Sequence, residues 1–129
     1  MKKRVEDWLF LAQTDIDTAE IIVNEKHLTH IAAFHCQQAV EKYFKAFLLE
    51  KDLPALKVHN LVKLYAEVKK VSKLSFDEDL LTMLSNAYVE SRYPGDLGLL
   101  PHGVPPVEQI ADFLKLAKEV ENKVQKELM

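Results

Sequence analysis

Cysteine, glycine and proline are all scarce in this 129-residue chain: one, three and five residues respectively. The lone Cys36 excludes an internal disulfide framework and a four-thiolate zinc site, and it fits a reducing compartment. Glycine and proline are missing altogether from residues 3–51, so nothing there punctuates a helix. Long apolar runs are missing too. Charges or amides interrupt every one well short of the ~18 residues that a membrane span needs. Met1-Lys-Lys-Arg4 resembles the start of a signal peptide, but the apolar stretch behind it, residues 8–12, is too short for an export signal. A cytoplasmic protein is expected. An excess of positive charge is also lacking. Seventeen Lys and Arg stand against 20 Asp and Glu, a formal net charge of −3, so any polyanion site must be a local patch.

What is present suits one core. Apolar residues make up 48% of the chain and charged residues 29%, which is the composition of a globular domain, taken here as residues 1–129. Helical periodicity runs through it. Val5, Trp8, Ala12, Ile16, Ala19 and Val23 share one arc of a first helix over about 3–24. Cys36, Val40, Tyr43, Phe44 and Phe47 line a second over about 30–51, with Thr29 as its N-cap and Asp52-Leu53-Pro54 as its stop. A short third helix carries Leu61, Leu64, Tyr65 and Val68 behind a capping Asn60. Ser75-Phe-Asp-Glu78 has capping-box spacing and opens a fourth, with Leu80, Leu84, Ala87 and Tyr88 inward, that Pro94 stops near Arg92 or Tyr93. Pro105-Pro106 opens the last, with Ile110, Leu114, Ala117, Val124 and Leu128 on its buried face. No segment alternates with period two. The expected fold is all-α, an up-and-down bundle of four long helices plus a short one, with the remaining glycines and prolines in one long loop over 94–106.

Few enzyme motifs apply. The five histidines form no i, i+4 pair and no Glu-x-x-His occurs, so neither a metal centre nor another cofactor is expected. Cys36 reads as a buried structural thiol. The second helix is more informative on its other side, where Ala32, Ala39 and Ala46 recur every seven residues beside His35, Gln38, Lys42 and Lys45. The alanines seat a neighbouring helix. The lysines are either a solvated face, with Glu41 supporting Lys45, or, with Gln38, a patch for a phosphate or a second subunit. Asp15 lies inside the apolar arc of the first helix and needs a cationic partner, for which Arg92 is the natural candidate. Arg92 can bridge a carboxylate and a phosphate, while Asn86 and Tyr93 offer hydrogen bonding and base stacking to a nucleotide.

Three segments together, Ala33-Phe-His-Cys-Gln-Gln-Ala-Val-Glu-Lys-Tyr-Phe-Lys-Ala-Phe-Leu48, His59-Asn-Leu-Val-Lys-Leu64 and Ala87-Tyr-Val-Glu-Ser-Arg-Tyr-Pro-Gly-Asp96, resemble the HEPN domain, a nucleotide-binding family of higher eukaryotes and prokaryotes. The likeness spans about residues 3–125. It implies a helical bundle that forms homodimers, engages a nucleotide or RNA, and is encoded beside a minimal nucleotidyltransferase in a toxin–antitoxin-like pair. It also implies that an active member would be a metal-independent endoribonuclease using an arginine, four to six intervening residues and a histidine. Arg92 matches the arginine, but nine residues separate it from His102. The departure favours a binding module over the alternative, a ribonuclease using Arg92 and His102; a purely structural adaptor is the third reading.

Overall fold

The structure, a computed structural model, describes residues 1–54, 57–92 and 104–129, with residues 88–92 as helical backbone. Five α-helices account for it: α1 (Lys3–Ile22), α2 (Thr29–Glu50), α3 (Leu61–Lys70), α4 (Glu78–Arg92) and α5 (Val107–Leu128), with one 3₁₀ turn at Lys26–Leu28. No strand occurs among the described residues. None of these helices is long and apolar enough to cross a membrane.

The short link between α1 and α2 forces an antiparallel hairpin. Lys2, before α1, accordingly meets the far end of α2, where its ammonium donates to the Leu49 carbonyl (2.9 Å) and pairs with Asp52. Helix α2 ends there in a Schellman motif. Leu53 N–H donates to Leu48 O (2.9 Å) and Asp52 N–H to Leu49 O (3.0 Å), while Asp52 takes the left-handed conformation, φ 60°. The stop therefore comes from this cap as well as from Pro54. The chain then returns along α2, so that His59 lies beside Gln37 and α3 runs parallel to the C-terminal half of α2, Tyr65 stacking on Phe44. Helix α4 comes back against both. Lys123 of α5 donates to Ser75 O (3.0 Å), and Tyr43 of α2 donates to Glu121 of α5 (2.9 Å), which sets α5 antiparallel to α4 and along α2.

Two expected caps are corrected. Thr29 is the first residue of α2, not its N-cap, and its hydroxyl bonds weakly back to Lys26 O (3.4 Å). Ser75 does not cap α4: Asp77 does, accepting from Leu80 N–H (3.1 Å), because Phe76 is drawn into the core, where Tyr65 Oη accepts its N–H (2.9 Å). Asn60 caps α3 as expected, accepting from Val62 and Lys63.

Helix α2 is the centre of the bundle. Cys36, Val40, Tyr43, Phe44 and Phe47 are fully buried, and so are Ala32, Ala39 and Ala46 on the flank shared with the Asp15 partners, so α1 is the helix that the alanines seat. Small side chains let the two backbones close up, and α1 contributes Ala12 and Ala19, equally buried, to the same core. In the inward arcs of the other helices, Leu61, Leu64, Tyr65, Val68, Leu84, Ile110, Leu114, Ala117 and Val124 are buried, Leu80, Ala87 and Leu128 are half-buried, and the side chain of Tyr88 lies outside the described residues; Leu81 joins Leu84 in α4, and Phe113, Leu116 and Val120 join the buried face of α5. Trp8 and Val23 are half-buried at the edge of α1.

Candidate functional site

A core helix has little solvent face for polar groups, yet α2 carries six along about half of its circumference: His35, Gln37, Gln38, Glu41, Lys42 and Lys45. They gather about two carboxylates. On the α1 flank, Asp15 is 7% exposed and receives His35 Nδ1 on Oδ1 (2.9 Å) and the Lys42 ammonium on Oδ2 (2.6 Å). On the α3 flank, Glu41 is 4% exposed and accepts three bonds: Gln37 Nε2 (3.0 Å) and His59 Nδ1 (3.0 Å) on Oε1, and the Lys45 ammonium (2.9 Å) on Oε2. Gln37 also donates to the His59 carbonyl (3.0 Å), so α2 grips the entry to α3 by both ring and backbone. Gln38 sits between the clusters and donates to Gln37 Oε1 (2.7 Å).

These bonds bear on both readings of the lysines, and they include the Glu41–Lys45 pair. Neither lysine belongs to a fully solvated face: Lys45 is buried and Lys42 half-buried. Nor do they form a patch of free charge, since Asp15 and Glu41 neutralise them one for one. Asp15 has the cationic partner on another helix that its place in the apolar arc demands: Lys42 of α2, with His35 of the same helix on its other oxygen, while the side chain of Arg92 lies outside the described residues. The Glu41–Lys45 pair is the one expected from its spacing; Gln37 and His59 were not singled out from the sequence as further partners of Glu41. The spacing of Gln37 and Glu41, one helical turn apart, was the available signal.

Of the remaining site residues, Asn86 is exposed on α4 and Arg92 is the last residue of that helix, its side chain outside the described residues; Tyr93 and His102 lie outside them entirely. The level of Arg92 follows from the helix. Ser85 Oγ accepts the N–H of Leu61 (3.3 Å), beside His59 and Gln37, and Arg92 is two turns further on, about 10 Å. Since α4 runs against α2, its C-terminal end reaches the N-terminal half of α2, which holds His35 and Gln38.

Cys36 stands apart from this chemistry. Burial first, and then the negative charge of Asp15, push its thiol up to about 12, so it is neither thiolate nor nucleophile at neutral pH. Among the described residues, no three His, Cys, Asp or Glu side chains gather as a metal site would require.

The family model for the HEPN domain matches residues 5–128, nearly the whole chain. The chain belongs to the HEPN family. Two solved structures share the fold of this HEPN protein. TT1696 from Thermus thermophilus is 24% identical, with a TM-score of 0.79 over 97% of this chain and 98% of that one. ST0689, described as an archaeal HEPN homologue, is also 24% identical, with a TM-score of 0.73 over the full length of both. No curated protein matches it.

Proposed function

We propose that this HEPN protein is a homodimeric module that binds the phosphate of a nucleotide or RNA at the end of the bundle where α4 meets the N-terminal half of α2, and that it works beside a minimal nucleotidyltransferase in a toxin–antitoxin-like pair. The polar face of α2 carries this reading. Two nearly buried carboxylates hold an amide, two lysines and two histidines in fixed positions at the surface of an otherwise apolar helix, a desolvation cost that packing alone does not require. In this reading Arg92 supplies the charge for the phosphate, since Lys42 and Lys45 are already paired, and Asn86, Tyr93 and Gln38 supply hydrogen bonding and stacking. The planar fork of Arg92 suits a phosphate. A second copy has a place to dock. Phe10 and Ile21, 69% and 79% exposed, lie eleven residues apart and thus on one face of α1, with Leu11 beside them.

The test is binding of a labelled single-stranded RNA by fluorescence anisotropy, and of ATP by calorimetry, for the wild type and Arg92→Ala. The expected result is at least about a tenfold loss of affinity in the variant and a salt dependence shallower by about 0.7 in log–log slope, one phosphate contact. Equal affinity and equal slope would contradict the proposal.

A further inference from the structure

Charge is unevenly divided along the chain. Residues 57–73 hold five lysines and one acid, Glu67, whereas the rest hold twelve Lys and Arg against nineteen Asp and Glu. All five lysines, Lys57, Lys63, Lys69, Lys70 and Lys73, are exposed. Helix α3 buries Leu61, Leu64, Tyr65 and Val68 on one face, and its opposite face carries Lys63, Ala66 and Lys70 into solvent. Two of the lysines have local explanations. Lys69 and Lys70 close the helix, where its dipole favours cations, and they pair with Glu78 and Glu67. Lys63 has none. It is the third residue of α3 behind the Asn60 cap, the position at which a capping box places a glutamate and the dipole favours an acid. Among the described residues no carboxylate pairs with it, nor with Lys57 or Lys73.

We infer that the outer face of α3 is a docking surface for an acidic helix of a partner protein. Lys63 and Lys70 are seven residues apart on that face, two turns or about 10 Å. Carboxylates seven residues apart on a partner helix repeat at the same distance, so a helix laid alongside α3 meets both cations. Exposed Ala66 between them leaves room for a close approach. The Lys70–Glu67 pair is exposed and exchanges its carboxylate at little cost. The make-up of the face separates this partner from other polyanions. It has no arginine, and its aromatic residue, Tyr65, is buried with the Lys69 ammonium 4.7 Å above the ring, so nothing there stacks on an RNA base. Nor does α3 expose the Trp, Phe or Leu side chains with which a helix enters a membrane surface. The Lys69–Glu78 pair sets the last turn of α3 beside the first turn of α4, away from the Arg92 end, so this surface is separate from the one proposed for the phosphate.

The experiment titrates the ¹⁵N-labelled full chain with an alanine-rich helical peptide that bears glutamates at seven-residue spacing on one face, and in parallel with single-stranded RNA and with phosphatidylserine vesicles. The peptide should give saturable amide shifts on α3 that weaken as salt is added. Lys63→Glu should weaken peptide binding at least about tenfold while its urea midpoint stays level or rises, since the carboxylate that it introduces completes a capping box with Asn60. A lysine held for the sake of the helix would instead lower the midpoint when replaced. Absence of peptide shifts on α3, full peptide affinity in Lys63→Glu, or a lower midpoint in that variant overturns the inference. So do α3 shifts produced by RNA or vesicles and not by the peptide. A sedimentation mass that falls on going from wild type to Lys63→Glu would give the face to a second copy of the chain and overturn it too.

Discussion

Cys36 and Tyr43 neighbour one another on the buried side of α2, about two turns apart, and both resist ionisation. Burial is the first cause in each; Asp15 adds to it for Cys36, and the hydrogen bond to Glu121 for Tyr43, whose phenol is raised far above its ordinary value. In the unfolded chain these groups lose their protons from about pH 9 to 10, whereas in the folded chain they keep them, so the folded state binds more protons at high pH. Their contribution to stability is complete below about pH 9 and declines as pH rises toward the folded value of about 12 for the thiol. Urea denaturation at about pH 7, 9 and 10.5 should show a flat region and then a fall approaching about 1.4 kcal/mol per pH unit for each group titrating. Cys36→Ala should have a shallower fall. Glu41 makes the opposite kind of demand. Its removal strands the Lys45 ammonium, whose side chain is 9% exposed, and Glu41→Ala should cost about 3–5 kcal/mol in the same assay. A loss below about 1 kcal/mol would mean that water reaches Lys45.

The helices divide into parts that local rules predict and parts that need the tertiary fold. Asn60 was legible because its capping is local: a side-chain oxygen two and three residues from the amides that it satisfies. Ser75 misled because the same spacing rule ignores the core. Phe76 packs against Phe44 and Tyr65, which pulls the start of α4 forward and gives the cap to Asp77. Asn60→Ala and Asp77→Ala should each cost about 1 kcal/mol, and Ser75→Ala roughly a few tenths at most, by denaturant midpoint. The partner of Asp15 was legible in principle. A hairpin with a short link pairs residues equally distant from its turn, and the level of Asp15 before the turn at 26–28 falls between those of His35 and Lys42 after it. The burial of α2 on nearly every side was not legible from its amphipathic pattern, since alanines and paired lysines mimic a solvent face.

At the scale of the whole molecule, the order of elements, the all-α class and the family were all readable from periodicity and from the Gln-Gln and Arg-Tyr-Pro segments; of the residues read for chemistry, the fold pairs Lys42 and Lys45 with carboxylates, while the Arg92 side chain, Tyr93 and His102 lie outside the described residues. The fold gathers polar groups along the middle of α2 and leaves apolar side chains of α1 at the surface. The proposed dimer is tested at that face: sedimentation at micromolar concentration should give a species of about 30 kDa, twice the 14.8 kDa chain, and Phe10→Ser with Ile21→Ser should return it to the single-chain mass. The ligand reading is tested most directly by titrating a short single-stranded RNA into ¹⁵N-labelled protein and mapping the amide shifts. The account predicts saturable shifts confined to the C-terminal turns of α4, the residues that follow it, and the stretch of α2 around His35, Gln38 and Lys42. No shift at millimolar RNA, or shifts centred on α3 and the C-terminal half of α5, would contradict it.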